Sequence, residues 1–179
     1  GLPPGVFNLV HGDGPGAGSV LSRHPGVDMV SFTGSTRAGV EVARDAAPTV
    51  KRVHQELGGK SPLVVLDDDL LADGVARGVR SAMANSGQTC SAPTRLLVPR
   101  GRLSEALEVA AGVADGLAVG DPTASVDLGP VVSGHQWDKV QGLIEGALVE
   151  GARLVAGGPG RPDGLTVGHY VRPTVLADV

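Results

Sequence analysis

"VSFTGSTRAG", residues 30–39, decides the fold class, because an apolar run ends there at a glycine and a helix pattern begins immediately afterwards. Residues 27–33 predict a strand. The helix that follows would be capped by Ser35 or Thr36 and ended by Pro48. A strand that runs directly into a capped helix is typical of proteins in which helices cover a sheet.

The same alternation extends along the chain in both directions. The further predicted strands are 6–10, 51–57, 61–66, 94–99 and 170–176. The further predicted helices are 15–22, 67–86, 104–117 and 133–150, and Ser104 with Glu105 resembles the start of the third of them. The stretch "ARLVAGG", residues 152–158, is predicted to be a glycine-rich turn. Strands that alternate with helices imply an α/β fold with a largely parallel sheet. Only four residues are aromatic, so the core must consist mainly of Val, Leu and Ala.

Composition excludes several classes of function. The net charge of −4 offers no basic surface for nucleic acid, and the pair Lys51-Arg52 is interpreted as a solvated strand edge. No apolar run is long enough to span a membrane. The single cysteine cannot form an internal disulfide, which favours a reducing, cytoplasmic location. We expect no metal site. The start, "GLPPGVF", has no signal-peptide pattern and no initiator Met, which suggests a chain that begins inside a larger gene product.

Two glycine-containing turns are candidate phosphate sites. "GDGPGA", residues 12–17, fits G-x-G-x-x-A, but Asp28 lies only 16 residues after Gly12 and at the start of a strand, where the dinucleotide fingerprint does not place its acid. A simple turn is the alternative there. At Ser35, free N–H groups of a helix N-terminus favour an anion, and an ordinary capped helix is an equally good interpretation.

Glu56 and Cys90 are the candidate reactive side chains. Glu56 begins "ELGGKSP", where two glycines permit close approach of a ligand, and Cys90 ends "NSGQTC". Taken singly, each has a simpler interpretation, a solvated acid and a small buried apolar residue. A cysteine hydrolase would need a histidine partner, and no histidine stands at a recognisable spacing from Cys90.

Taken together and in order, the motifs resemble the NAD(P)-dependent aldehyde dehydrogenase superfamily. They are "GLPPGVFNLV", "VSFTGSTRAG", "ELGGKSP", "NSGQTC" followed by Arg95, "GDP…GP" and the closing "GARLVAGG…YVRPTVL". The resemblance covers essentially the whole chain and implies the central part of a longer, three-layer α/β enzyme. Residues 1–57 would be the C-terminal half of a Rossmann-like coenzyme domain, and residues 58–179 an incomplete catalytic domain.

The resemblance also implies roles for single residues. Cys90 would be the catalytic thiol that forms a thiohemiacetal and then a thioester with the aldehyde, and Glu56 the general base that releases the acid. The residues implied for coenzyme binding are Thr33, Gly34, Ser35, Leu57, Gly58, Gln136 and Lys139. The "GDGPGA" loop would then be at most a neighbour of the phosphates. NAD is the expected coenzyme, with NADP as the alternative, and the partner is a small aldehyde.

Several alternatives follow from the same comparison. A CoA-acylating relative would pass the acyl group to CoA, but such relatives commonly lack the glutamate that Glu56 supplies. A folded remnant without catalysis is the other alternative. Segments of the family resembling "PWNFP", "KPSE" and "EIFGPV" do not occur in this sequence, so we expect the chain alone to have little or no activity. Full-length relatives lead us to expect a homodimer or homotetramer.

Overall fold

The computed structural model describes all of residues 1–179, which form two compact units, Gly1–Gly58 and Gly59–Val179. The division falls one residue from the predicted boundary between residues 57 and 58. Two of the three sheets are parallel pairs and the third is antiparallel. The predicted α/β class with largely parallel sheets is therefore confirmed, while the coenzyme and catalytic identities of the two units stay predictions.

The first unit contains one parallel pair of strands and its covering helices. Its elements are a π-helical turn at Gly14–Gly18, α1 (Ser19–Arg23), β1 (Met29–Gly34), α2 (Thr36–Ala46), a 3-10 turn at Ala47–Thr49 and β2 (Arg52–Leu57). Exposed and half-buried residues alternate along both strands, as expected for a sheet with one covered face. Gly39 of α2 is buried, and a Cβ placed on it would lie 2.7 Å from Cδ2 of Leu57, so glycine lets α2 pack closely on β2.

Lys51 corrects the interpretation of the pair Lys51-Arg52 as a solvated edge. Lys51 is only 9% exposed, and its Nζ donates a hydrogen bond to the backbone carbonyl of His24 at 2.6 Å. Arg52 is exposed, as predicted. A buried ammonium group requires such an acceptor, so Lys51 fastens the start of β2 to the end of α1.

The second unit contains the remaining strands and three longer helices. Its elements are β3 (Pro62–Val64), α3 (Leu71–Met83), a 3-10 turn at Ala84–Gly87, β4 (Arg95–Leu97), a 3-10 turn at Arg100–Arg102, α4 (Leu103–Asp115), α5 (Gly134–Val149), β5 (Arg153–Ala156) and β6 (Val175–Ala177). β3 pairs with β4 in parallel, and β5 pairs with β6 in antiparallel orientation. β5 lies within the stretch predicted as a glycine-rich turn, and the turn itself is confined to Gly157 and Gly158, which both have positive φ.

The core of this unit lies between α3 and α4. Each helix contributes a buried row at a spacing of four residues: Leu71, Val75 and Val79 from α3, and Ala106, Ala110 and Ala114 from α4. Large side chains on one helix thus face small ones on the other, which allows close packing. Val, Leu and Ala supply the core, as the composition predicted.

Three further predicted details are wrong. Residues 6–10 form no strand: Phe7 and Leu9 are 76% and 69% exposed, and β1 and β2 pair only with each other in this unit. Ser104 does not cap α4, because the helix begins one residue earlier and Glu105 is bound by the Arg102 guanidinium instead. The helix predicted to reach Ser86 stops at Met83.

The longest helix is α5, with 16 residues. None of the helices combines the length and the apolar character that crossing a membrane requires.

Candidate active site

The carboxyl ends of β1 and β2 bring four of the predicted site residues together in the first unit. Thr33 lies opposite Glu56 in the register, and Gly34 lies opposite Leu57. Since both strands run in the same direction, their carboxyl ends meet at one edge, which is where ligands bind in parallel sheets. Gly58 follows directly.

Ser35, one of the two predicted caps, is the N-cap of α2. Its Oγ accepts a hydrogen bond from the Ala38 N–H at 3.2 Å, and the other N–H groups of the first turn have no acceptor within the helix. No acidic residue lies in that first turn. The helix N-terminus at the edge of β1 and β2 is therefore suited to an anionic group such as a phosphate.

Glu56 presents its carboxylate to solvent, with 62% of the side chain exposed. The imidazole of His54 lies beside it, with Nε2 of His54 3.6 Å from Oε1 of Glu56. Nδ1 of His54 in turn lies 3.5 Å from Oγ of Ser31, its register partner on β1. His54 was not among the predicted site residues, although strand alternation places residues 54 and 56 on the same face.

Cys90 lies in the second unit, after α3 and before β4, and is exposed. The sequence interpretation of a lone cysteine as a buried apolar residue therefore does not apply. A Cβ placed on Gly59 would lie 3.1 Å from the carbonyl oxygen of Cys90, so the glycine permits the close approach of these two chain segments. Nε of Arg95 fastens the same region by donating to the carbonyl of Lys60 at 2.7 Å.

Gln136 and Lys139 lie in the first turns of α5. Ser133 caps this helix by accepting a hydrogen bond from the Gln136 N–H at 3.2 Å. Gln136 is half-buried and Lys139 is exposed, so the ammonium group of Lys139 is accessible to a ligand.

The "GDGPGA" loop uses one of its own donors internally. Oδ1 of Asp13 accepts a hydrogen bond from the Gly16 N–H at 2.6 Å, and Asp13 is the N-cap of the helical turn that follows. This contact supports the interpretation as a simple turn, because the carboxylate takes an N–H group that a phosphate would need. No group of three or more His, Cys, Asp or Glu side chains is arranged to hold a metal ion.

Comparison with known proteins decides the family. The sequence model of the aldehyde dehydrogenase family matches residues 1–179, which is the entire chain. The chain belongs to the aldehyde dehydrogenase family.

One relative, 3-succinoylsemialdehyde-pyridine dehydrogenase from a Pseudomonas species, is 54% identical to this chain over 180 residues. The match covers all of this chain and 38% of that relative. The chain thus spans about 38% of the length of the curated relative.

Two solved aldehyde dehydrogenases have the same fold. One is a cysteine-to-alanine mutant of aldehyde dehydrogenase C from Pseudomonas syringae, complexed with NAD+ and octanal. It is 53% identical with a TM-score of 0.98, and the match covers all of this chain and 37% of the mutant enzyme's chain. The aldehyde dehydrogenase of Mycobacterium tuberculosis complexed with NAD+ matches 90% of this chain and 34% of its own with a TM-score of 0.86 and 43% identity.

Proposed function

We propose that the protein carrying this chain oxidises an aldehyde to the carboxylic acid with NAD as the hydride acceptor. The observation that carries the proposal is the likeness, at 53% identity over the whole chain, to an aldehyde dehydrogenase complexed with NAD+ and octanal. NADP is the alternative coenzyme. The small aldehyde, the homo-oligomeric state and the cytoplasmic location remain predictions.

The residues of the first unit fit a dinucleotide. The N-terminal N–H groups of α2 and the Ser35 cap would hold the pyrophosphate, with Gly34 beside it. Thr33 and the backbone of Leu57 and Gly58 would face the nicotinamide. In the second unit, Gln136 and Lys139 would hold the nicotinamide ribose. NAD, when bound, supplies the acceptor for the hydride of the substrate.

Cys90 is the proposed nucleophile. Its thiolate adds to the aldehyde carbon to form a thiohemiacetal, and the backbone N–H of Cys90 is one donor to the oxyanion. Loss of the hydride leaves a thioester on the sulfur. The exposure of Cys90 supports this role, because an aldehyde must reach the thiol from solvent.

Glu56 is the proposed general base for release of the product. Its carboxylate takes a proton from water, the resulting hydroxide attacks the thioester, and the acid departs while Cys90 regains its thiolate. The solvent-exposed carboxylate supports this role, since water has direct access to it. The presence of Glu56 also favours hydrolysis of the thioester over transfer of its acyl group to CoA.

An exchange enzyme tests the proposal. In it, residues 1–179 replace the matching 37% of aldehyde dehydrogenase C from Pseudomonas syringae. With octanal and NAD+, we expect stoichiometric NADH and octanoic acid, and no NADH from the Cys90→Ala variant. NADH formation that requires added CoA and yields octanoyl-CoA in place of octanoic acid would favour the acylating alternative. A folded exchange enzyme that binds NAD+ and forms no NADH would support the non-catalytic remnant.

A further inference from the structure

The backbone before Cys90 adopts a conformation that few sequences tolerate. Asn85 and Ser86 have φ of 53° and 56°, and Gly87 follows with φ of 75°. Two adjacent non-glycine residues in the left-handed region are uncommon, and they persist only where surrounding contacts stabilise them. Contacts with the rest of the unit must therefore hold this turn.

Two side chains of the turn bind a distant segment of the same unit. Oγ of Ser86 donates to the carbonyl of Gly129 at 2.8 Å, and Oε1 of Gln88 accepts from the N–H of Val132 at 2.9 Å. These bonds span 43 and 44 residues of sequence. Ser86 and Gln88 are both half-buried. The Ser86 bond is itself partly buried, which lowers competition from water, whereas the Gln88 bond to Val132 is exposed.

Gln88 also closes the turn from within. Its Nε2 and its backbone N–H both donate to the carbonyl of Asn85 at 3.1 Å, and Nδ2 of Asn85 donates back to the carbonyl of Gln88 at 3.2 Å. One side chain therefore fixes the left-handed turn and fastens it to the distant segment. Cys90 follows only two residues later.

The distant segment is itself held in place. Leu128 is 5% exposed, and the N–H of Val131 donates to the carbonyl of His169 at 2.9 Å. Ser133 then caps α5. Leu128 and Val131 are both 5% exposed and flank the Gly129 acceptor and the Val132 donor, so the backbone that carries these two groups is anchored although the residue Val132 itself is 82% exposed.

We infer that Gln88 is a positioning residue for the proposed thiol, and that Ser86 assists it. This inference rests on the proposed function of Cys90. Gln88 fixes the backbone from which Thr89 and Cys90 extend, and so fixes both the sulfur and the N–H group that would meet the oxyanion. A displacement of about 1 Å at a reacting centre lowers rates by about 10²-fold.

The first test uses the 179-residue chain itself. Cys90 is its only cysteine, so a nitroxide attached to it reports the mobility of this turn alone. Gln88→Met keeps the size of the side chain and removes both the accepting oxygen and the donating nitrogen of its amide, and we expect faster nitroxide motion in the electron paramagnetic resonance spectrum. Gln88→Glu keeps the oxygen that accepts from Val132, and should restore part of the restriction. Ser86→Ala should have a smaller effect in the same direction.

Gln141→Met is the matched control. Oε1 of Gln141 accepts from the N–H of Gly160 in the same unit, so the same substitution breaks the same kind of bond away from Cys90. We expect unchanged nitroxide motion in this variant. Circular dichroism checks that each variant is folded.

The second test measures turnover in the exchange enzyme. Gln88→Met should lower kcat by about 10- to 10²-fold while the KM for NAD+ changes less than about twofold, because the main proposed coenzyme residues lie on β1, α2 and β2. Gln88→Glu should recover at least part of the loss, and Gln141→Met should have little effect.

The outcomes separate the two proposals. Nitroxide motion that is the same in Gln88→Met and wild type would overturn the positioning role, and so would faster motion with an unchanged kcat. An unmutated exchange enzyme that forms no NADH would overturn the proposed function. Faster motion in Gln88→Met would still establish in that case that Gln88 fixes the turn at Cys90.

Discussion

Thr33 lies directly opposite Glu56 in the parallel pairing of β1 and β2. The two residues come from motifs 23 positions apart, and the register places both on the exposed face at the carboxyl end of their strands. A predicted coenzyme residue and the predicted base therefore share one edge of one sheet.

Glu56→Gln should separate the two halves of the proposed reaction. In the exchange enzyme, hydride transfer does not need the base, so rapid mixing should give one equivalent of NADH. Steady turnover should then be about 10²- to 10⁴-fold slower than in the parent. Because Glu56 is exposed, the thermal stability should be unchanged.

Glu41→Gln is the control for this change. Glu41 is an exposed glutamate of the same unit, paired with Arg37 one helical turn away. We expect full turnover in this variant. A Glu56→Gln enzyme that loses the burst as well as steady turnover would contradict a role limited to deacylation.

Two glycines in helices of the second unit should respond oppositely to alanine. Gly112 in α4 has nothing within 4 Å of an added Cβ, so Gly112→Ala should raise the free energy of unfolding by about 0.5–1 kcal/mol. A Cβ on the buried Gly78 would lie 2.5 Å from Cδ2 of Leu63, so Gly78→Ala should lower it by about 1–3 kcal/mol. Urea unfolding measures both values, and equal changes would contradict the close packing of α3 on β3.

The ion pair of Arg102 and Glu105 should make stability depend on pH. Hydrogen bonds from the Arg102 guanidinium lower the pKa of Glu105 below its ordinary value. The pair is therefore fully stabilising above the ordinary pKa of about 4.3 and loses its effect as the pH falls through the lowered value. Arg102→Gln should lower the midpoint of urea unfolding at neutral pH. The difference in midpoint between this variant and the parent should become smaller in acid.

Arg100→Gln is the comparison for this effect, because Arg100 lies in the same 3-10 turn, is exposed and has no carboxylate within ion-pair distance. Its midpoint should follow that of the parent at every pH. A deficit in Arg102→Gln that stays constant down to acidic pH would show that the side chain acts through packing instead.

Local sequence patterns predicted most of the fold because they depend on neighbours in the chain. The N-caps Ser35 and Ser133 lie at or beside the predicted helix starts, and the strand that ends at Gly34 needs only its own alternation. Residues 6–10 have the same apolar character, but a strand exists only when another strand pairs with it. Sequence alone does not supply that partner.

The long-range contacts of the candidate site were beyond sequence reasoning. The proximity of His54 to Glu56 follows from strand alternation and could have been found, whereas the bonds of Ser86 and Gln88 join residues more than 40 positions apart. The left-handed turn at Asn85 interrupts a sequence pattern that otherwise favours helix. The prediction therefore extended α3 beyond its observed end at Met83. Lys51 was misjudged because its acceptor, the carbonyl of His24, belongs to another element.

Trapping an acyl group on Cys90 tests the proposed chemistry most directly. The Glu56→Gln exchange enzyme is mixed with octanal and NAD+, quenched in acid and digested for peptide mass spectrometry. The proposed mechanism predicts one octanoyl group on the peptide that contains Cys90, removable by hydroxylamine and absent without NAD+. A protein that has formed NADH but carries no acyl group on Cys90, or carries it on another residue, would contradict the mechanism.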